Sequence, residues 1–198
     1  MKIVYRIVDF VKPWLGAILI VWILQLTGLL SSISFAAQSV ILKTGLMNAS
    51  VVTETKPLDF NYNFHVKDLN GKKVDFNTYK GKVIFLNLWA TWCGPCRAEM
   101  PTIQNLYQKV SPNDQIEFVM LSIDKDKDLN KVVTYVADHA YTFPTYMPSG
   151  YLSEQLNIPS IPTTFIISKD GKILTKEVGT TNFDTKKFLN FLITEANK

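Results

Sequence analysis

From Pro13 to Leu42 the chain carries no Asp, Glu, Lys or Arg, and Trp14–Leu30 (WLGAILIVWILQLTGLL) is nearly unbroken apolar sequence. About 20 such residues, at about 1.5 Å each, cover the roughly 30 Å hydrocarbon core of a bilayer. No polar face interrupts the run, which argues against an ordinary core helix. Residues 38–59 then mix Ser, Thr, Asn and Lys with scattered apolar positions and contain Lys56-Pro57. That composition predicts a spacer.

Beyond Phe60 the pattern breaks into short alternating elements. Asn70-Gly71 between NYNFHV and KVDF predicts a β-hairpin. Val83–Trp89 (VIFLNLW) predicts a strand covered on both faces. Met100, Ile103, Leu106 and Val110 recur at helical spacing, and Ile116–Ile123 (IEFVMLSI) predicts a second buried strand. Asp128 is placed to cap a helix whose stripe is Leu129, Val132, Val133, Val136 and Ala140. A short helical piece follows at Tyr151–Leu156. Thr163–Ser168 and Lys172–Val178 flank Lys169-Asp170-Gly171 as a second hairpin, and Asp184 can open a last helix with Phe188, Leu189 and Leu192 turned inward. A hairpin, then β-α-β, a helical connection and β-β-α imply an α/β fold with a mixed central sheet and helices on both faces. The expected organisation is a transmembrane anchor or signal segment at 1–37, a linker at 38–59 and one domain at 60–198.

Charge orients this plan. Lys2, Arg6 and Lys12 precede the apolar segment and the next charge is Lys43. The positive-inside rule keeps the N-terminus in the cytoplasm and exports the domain. Ser34-Phe35-Ala36 ahead of Ala37 would also suit a signal peptidase, but the apolar run exceeds the usual 7–15 residues of a signal peptide and favours a retained anchor. Both alternatives put the domain on the extracytoplasmic side, tethered or released. The formal net charge is +4, with Lys and acid interleaved as in Lys125–Asp128. No dense basic stripe exists to neutralise phosphates, which excludes nucleic acid as a partner class.

Both cysteines of the chain lie in LWATWCGPCRAEMP, at Cys93 and Cys96. A ring this small constrains little of an unfolded chain, so a structural staple is a poor explanation. A zinc clip needs further N/S ligands, and only His65 and His139 exist, without ligand spacing. A reacting dithiol fits better. Cys93 falls where a buried strand meets a helix, so unpaired N–H groups and the helix dipole favour its thiolate and make it the attacking group. Pro95 suits the first helical turn. Cys96, one turn on, can reach back to Cys93 and close the exchange. Its proton needs an acceptor, and Glu99 is one turn further along; the alternative for Glu99 is an acid that only offsets the dipole. No cofactor or metal is called for.

WATWCGPCRAEMP resembles the active site of thioredoxins, and more closely that of membrane-tethered bacterial proteins of the TlpA and ResA type. The similarity spans roughly residues 60–196 and includes IPSIPTTFIISKDGK. It implies a thioredoxin-like fold with an N-terminal β-hairpin extension, Cys93 as nucleophile and Cys96 as resolving cysteine. Pro162 matches the family's cis-proline facing the dithiol, which leaves the Ile161 backbone for an extended substrate strand; Trp92, Pro95, Ile161 and Pro162 are the implied substrate-binding residues. Thioredoxin carries a buried Asp where this chain has Asn87, whereas ResA-type proteins have a Glu at the position of Glu99, which implies Glu99 as the proton acceptor. The resemblance also implies reduction of disulfides in exported proteins, apocytochrome c among them, with electrons from a membrane thiol transporter of the CcdA or DsbD kind. The site would stand at the bacterial cytoplasmic membrane or in the periplasm. Gly-Pro between the cysteines matches thioredoxin, near −270 mV, better than the oxidant DsbA, near −120 mV; an oxidase or isomerase is the reverse alternative.

Three other readings are weaker. Asp124, Asp126 and Asp128 imitate the start of a calcium loop, but its required Gly and Glu positions hold Leu129 and Tyr135, so these acids are expected to form a solvated loop and a helix cap. A peroxiredoxin-like peroxidase would show Pro-x-x-x-Thr-x-x before its cysteine, where NLWATW stands. A Sco-like copper-binding chaperone would use Cys-x-x-x-Cys, one residue longer, with a distant His; His139 is better placed as a helix-end residue.

Overall fold

The computed structural model describes residues 58–198, together with 16, 18–20, 22, 40–42, 44 and 47–49. Apart from the helical positions 16, 18–20 and 22, the expected anchor at 1–37 lies outside the described residues. Among those residues no helix is long and apolar enough to cross a membrane.

The first expected hairpin forms from β1 (His65–Asp68) and β2 (Lys73–Asp75), with His65 opposite Asp75. Gly71 turns it at φ 82°, while Asp68 Oδ1 accepts from the amides of Asn70 and Lys72 at 2.9 and 2.8 Å. Its first strand starts later than NYNFHV suggested. Phe60, Tyr62 and Phe64 instead run ahead of β1 as an aromatic strip, Phe64 stacking on Phe76 at 4.3 Å.

β3 (Val83–Trp89) is buried at every position, and β4 (Ile116–Ser122) pairs with it in parallel. The helix between them, α1 (Gly94–Val110), buries Met100, Ile103, Leu106 and Val110 as spaced. It continues through Pro101, a residue that costs an interior helix hydrogen bond; the buried stripe on both sides of it offsets that loss.

α2 (Leu129–Asp138) is shorter than its sequence stripe. Val132 is buried, Val133 is exposed, and Ala140 lies past the end at φ 52°. Asp128 occupies the N-cap position without capping; its carboxylate pairs with Lys131 Nζ at 2.8 Å. A strand then appears where only a helical connection was expected: β5 (Thr145–Pro148) lies between β4 and β1. The helical piece contracts to a three-ten turn, Glu154–Leu156.

The second hairpin is β6 (Thr163–Ile167) and β7 (Ile173–Val178), turned at Gly171 with φ 81°. A Cβ there would meet the Tyr62 ring at 3.4 Å, so the turn and the aromatic strip fit each other closely. In α3 (Lys186–Ala196) the cap is Thr185, whose hydroxyl accepts from the Phe188 amide at 3.2 Å. Asp184, the expected cap, instead bonds Asn105 Nδ2 at 3.0 Å and pairs with Lys109.

The sheet order is β2-β1-β5-β4-β3-β6-β7, with parallel pairs only at β3–β4 and β4–β5. The mixed sheet is as expected, but its covers differ. α1, α2 and α3 pack on the face that presents Val83, Phe85 and Trp89. The other face, with Ile84, Leu86 and Leu88, is covered by the aromatic strip and by three-ten segments bearing Phe76, Tyr79 and Leu156. By the two-residue period of a strand, Asn87 and Thr164 face α1. The spacer region is partly bound to the domain: Asn48 bridges to Asn182, and Asp59 to Lys172.

Candidate functional site: a dithiol between a helix end and a buried acid

β3 ends at Trp89, and the chain turns through Ala90–Trp92 into α1. That turn is held from below. Asp124, just past β4, accepts from the Thr91 amide at 2.8 Å, the Thr91 hydroxyl at 2.7 Å and the Ser122 hydroxyl at 2.7 Å. Asp124 is therefore buried and saturated with donors, which corrects its expected place in a solvated loop. The exposed member of the acid series is Asp126, paired with Lys67 at 2.9 Å.

Cys93 is the N-cap of α1, and its Sγ accepts from the Cys96 amide at 3.1 Å. The helix end thus directs a donor at sulfur, the interaction that favours a thiolate once the pair is reduced. In this structure the two cysteines are joined as a disulfide, with Cα atoms 5.3 Å apart. Cys93 retains 5% exposure and Cys96 none, so only the first can meet an incoming group.

Opposite the pair, the Ile161–Pro162 peptide is cis, and the Ile161 carbonyl oxygen stands 3.8 Å from Cys93 Sγ. Ile161 precedes the paired residues of β6, which begin at Thr163. Trp92 projects at 65% exposure beside Cys93, while Pro95 is half-buried and its carbonyl accepts from the Thr180 hydroxyl at 3.4 Å. The fold thus gathers Trp92, Pro95, Ile161 and Pro162 around the disulfide.

Glu99 lies on the buried side of α1, with 1% exposure. Its Oε1 accepts from Asn87 Nδ2 at 2.8 Å and its Oε2 from the Thr181 amide at 3.1 Å. Burial pushes its carboxyl up to about 8, and the two hydrogen bonds offset only part of that. Asn87 also donates to Thr164 Oγ1 at 2.8 Å, joining β3, α1 and β6 beneath the dithiol.

Sequence reasoning noted Asn87 only for what it cannot do and gave no role to Thr181, Thr164 or the Asp124 brace. One signal was present: a polar residue inside the run VIFLNLW must find a partner when buried. His139 sits at the C-terminal end of α2, its Nδ1 2.8 Å from the Tyr135 carbonyl, its ring tilted against Tyr135 and stacked on Tyr141.

A strand, a cysteine-capped helix and a facing cis-proline on this mixed sheet make the chain a thioredoxin-like protein. The Redoxin family model matches residues 54–191, and the chain belongs to that family. It is 38% identical over 118 residues to a thiol-disulfide oxidoreductase ResA of Bacillus cereus, covering 59% of this chain and 66% of that protein, just under two thirds of its length. The thioredoxin-like protein YneN of Bacillus subtilis is 31% identical over 170 residues, 85% of this chain and 91% of its own. Among solved structures, StoA from Bacillus subtilis superposes with a TM-score of 0.53 at 26% identity, covering 64% of this chain and 95% of StoA. The chain is of the TlpA and ResA type within the thioredoxin-like proteins.

Proposed function

We propose that this chain is a thiol-disulfide oxidoreductase that reduces disulfides in exported proteins through Cys93 and Cys96. The observation that carries the reading is the pairing of a slightly exposed, helix-capping Cys93 with a fully buried Cys96, which stands one helical turn before a buried acid. The similarity to ResA supports it.

In the reduced form, the Cys93 thiolate attacks one sulfur of a substrate disulfide. A mixed disulfide forms and the other substrate sulfur leaves as a thiolate. Cys96 gives its proton to the Glu99 carboxylate and attacks Cys93 Sγ. The Cys93–Cys96 bond forms, the bond to substrate breaks, and the second substrate sulfur leaves. Two electrons pass to the substrate, and the chain is left in the disulfide state of the structure. The Ile161 backbone beside the cis-proline supplies hydrogen bonds for an extended substrate segment, and Trp92 supplies an apolar contact. Two electrons and two protons from a membrane thiol donor of the CcdA or DsbD kind restore the dithiol, the domain being held at the outer side of the cytoplasmic membrane by residues 1–37. Apocytochrome c is the substrate of first choice.

A Cys96→Ala trap in the native cell tests this. Mixed disulfides on Cys93 with exported proteins are the expected result. A trap that captures nothing, from a chain whose dithiol does not cycle with small thiol reagents, overturns the reading.

A further inference from the structure

We propose that Asn87 is a positioning residue whose side-chain amide takes two orientations, one for each protonation state of Glu99. The proposal rests on the reading of Glu99 as the carrier of the Cys96 proton.

As it stands, the network fits an ionised Glu99. Both N–H groups of the Asn87 amide are committed, one to Glu99 Oε1 and one to Thr164 Oγ1, and the second carboxylate oxygen accepts from the Thr181 amide. Once Glu99 holds a proton, its O–H requires an acceptor, and in this arrangement both groups bonded to it are donors. An unmatched buried hydroxyl is costly. The remedy lies in the same side chain. Asn87 is fully buried, and its Oδ1 has no hydrogen-bond partner among the described residues. A half-turn about the Cβ–Cγ bond puts Oδ1 where Nδ2 was. It then accepts from the protonated Glu99, and from the Thr164 hydroxyl, which can donate as readily as it accepts. Either orientation leaves one amide atom without a partner, so neither is strongly preferred on its own and the proton decides between them. An Asp at this position could not donate when ionised, and a Leu could do neither.

The groups facing Glu99 are few. From β3 comes Asn87, from the segment after β7 the Thr181 amide, both neutral, and on its own helix Cys96 lies one turn back. Among the described residues no charged side chain is bonded to it. The amide is thus the adjustable part of its surroundings.

The test uses the oxidised full chain, in which the cysteines do not titrate. With labelled carboxyl carbons, Glu99 is assigned by the signal lost in Glu99→Gln, and its midpoint is followed by NMR. In the unaltered chain, contacts between the Asn87 Nδ2 protons and the Thr164 β-proton should be present above the midpoint and lost below it. Contacts that persist on both sides overturn the two-orientation proposal without any substitution. In Asn87→Leu both protonation states lose their partner, the charged form a donor and the protonated form an acceptor, so the midpoint should move by well under about one unit. A rise of about one unit or more in a folded Asn87→Leu chain would mean that Asn87 serves the charged form alone, and also overturns it. Failure of the chain to cycle its dithiol at all would sink the proposed activity instead, and the midpoint measurements read out independently of that.

Discussion

Two buried acids stand below the dithiol turn, and they are held differently. Asp124 accepts from three donors, all belonging to Thr91 and Ser122, and it ties the turn before Cys93 to the end of β4. Glu99 has two donors, Asn87 and the Thr181 amide, and burial prevails over them, pushing its carboxyl up to about 8. Burial alone therefore does not make a proton carrier. An acid saturated with donors is a brace, and one left short of them, one helical turn from Cys96, is placed to exchange a proton once the pair is reduced.

The largest break in this comparison is Glu99→Gln. General acid–base groups contribute on the order of 10²-fold or more, so resolution of the mixed disulfide by Cys96 should slow by about that factor near pH 7, read by single-turnover kinetics. The substitution has a second signature in the oxidised protein. Glu99 titrates near 8 when folded and at an ordinary 4.5 when unfolded, so between those values the folded state holds the extra proton. Stability is then full below about 4.5 and falls as pH rises through 8, by an amount on the order of 5 kcal/mol at most. Denaturant unfolding of the oxidised chain across this window should lose that slope in Glu99→Gln. A slope that survives the substitution assigns it to another group.

Asp124→Ala breaks the other acid. It removes an acceptor from three donors beneath the turn and should cost about 3 kcal/mol of stability, measured by denaturant unfolding. The Glu99 midpoint should stay where it is, because among the described residues the hydrogen bonds of Asp124 go to Thr91 and Ser122 and not to the partners of Glu99. A moved midpoint would mean the two acids act as one network.

The contrast between the acids also shows where the sequence was legible. β3 and α1 could be read directly, because an apolar run and a helical stripe are recorded in consecutive residues; so could both glycine-turned hairpins. β5 escaped, since four residues ending in Pro148 carry too little pattern and owe their strand to β4 and β1 on either side. Asp128 and Asp184 were expected as caps from their residue type, but Lys131 and Lys109 draw their carboxylates away. Cys93, Cys96 and Glu99 could be placed together from the sequence because they fall within two turns at the start of one helix and its cap. Their supports could not, because Asn87 lies 12 residues from Glu99 and Thr181 lies 82, and only the folded sheet brings them together. Asp124 was misplaced for the same reason, its partner Thr91 being 33 residues away.

The finest sharpening is Thr91→Val, which keeps the shape of the side chain and deletes one donor. Asp124 would retain the Thr91 amide and the Ser122 hydroxyl, so the loss should be about 1 kcal/mol, seen as a lower denaturant midpoint with an unchanged slope. The pH profile of thiol reactivity should not move, because the amide aimed at Cys93 Sγ belongs to Cys96 and is untouched. If this one hydroxyl costs as much as the whole carboxylate, the three bonds hold the turn only as a unit. If the thiol profile shifts, the brace reaches sulfur, and the division between a bracing acid and a proton carrier fails.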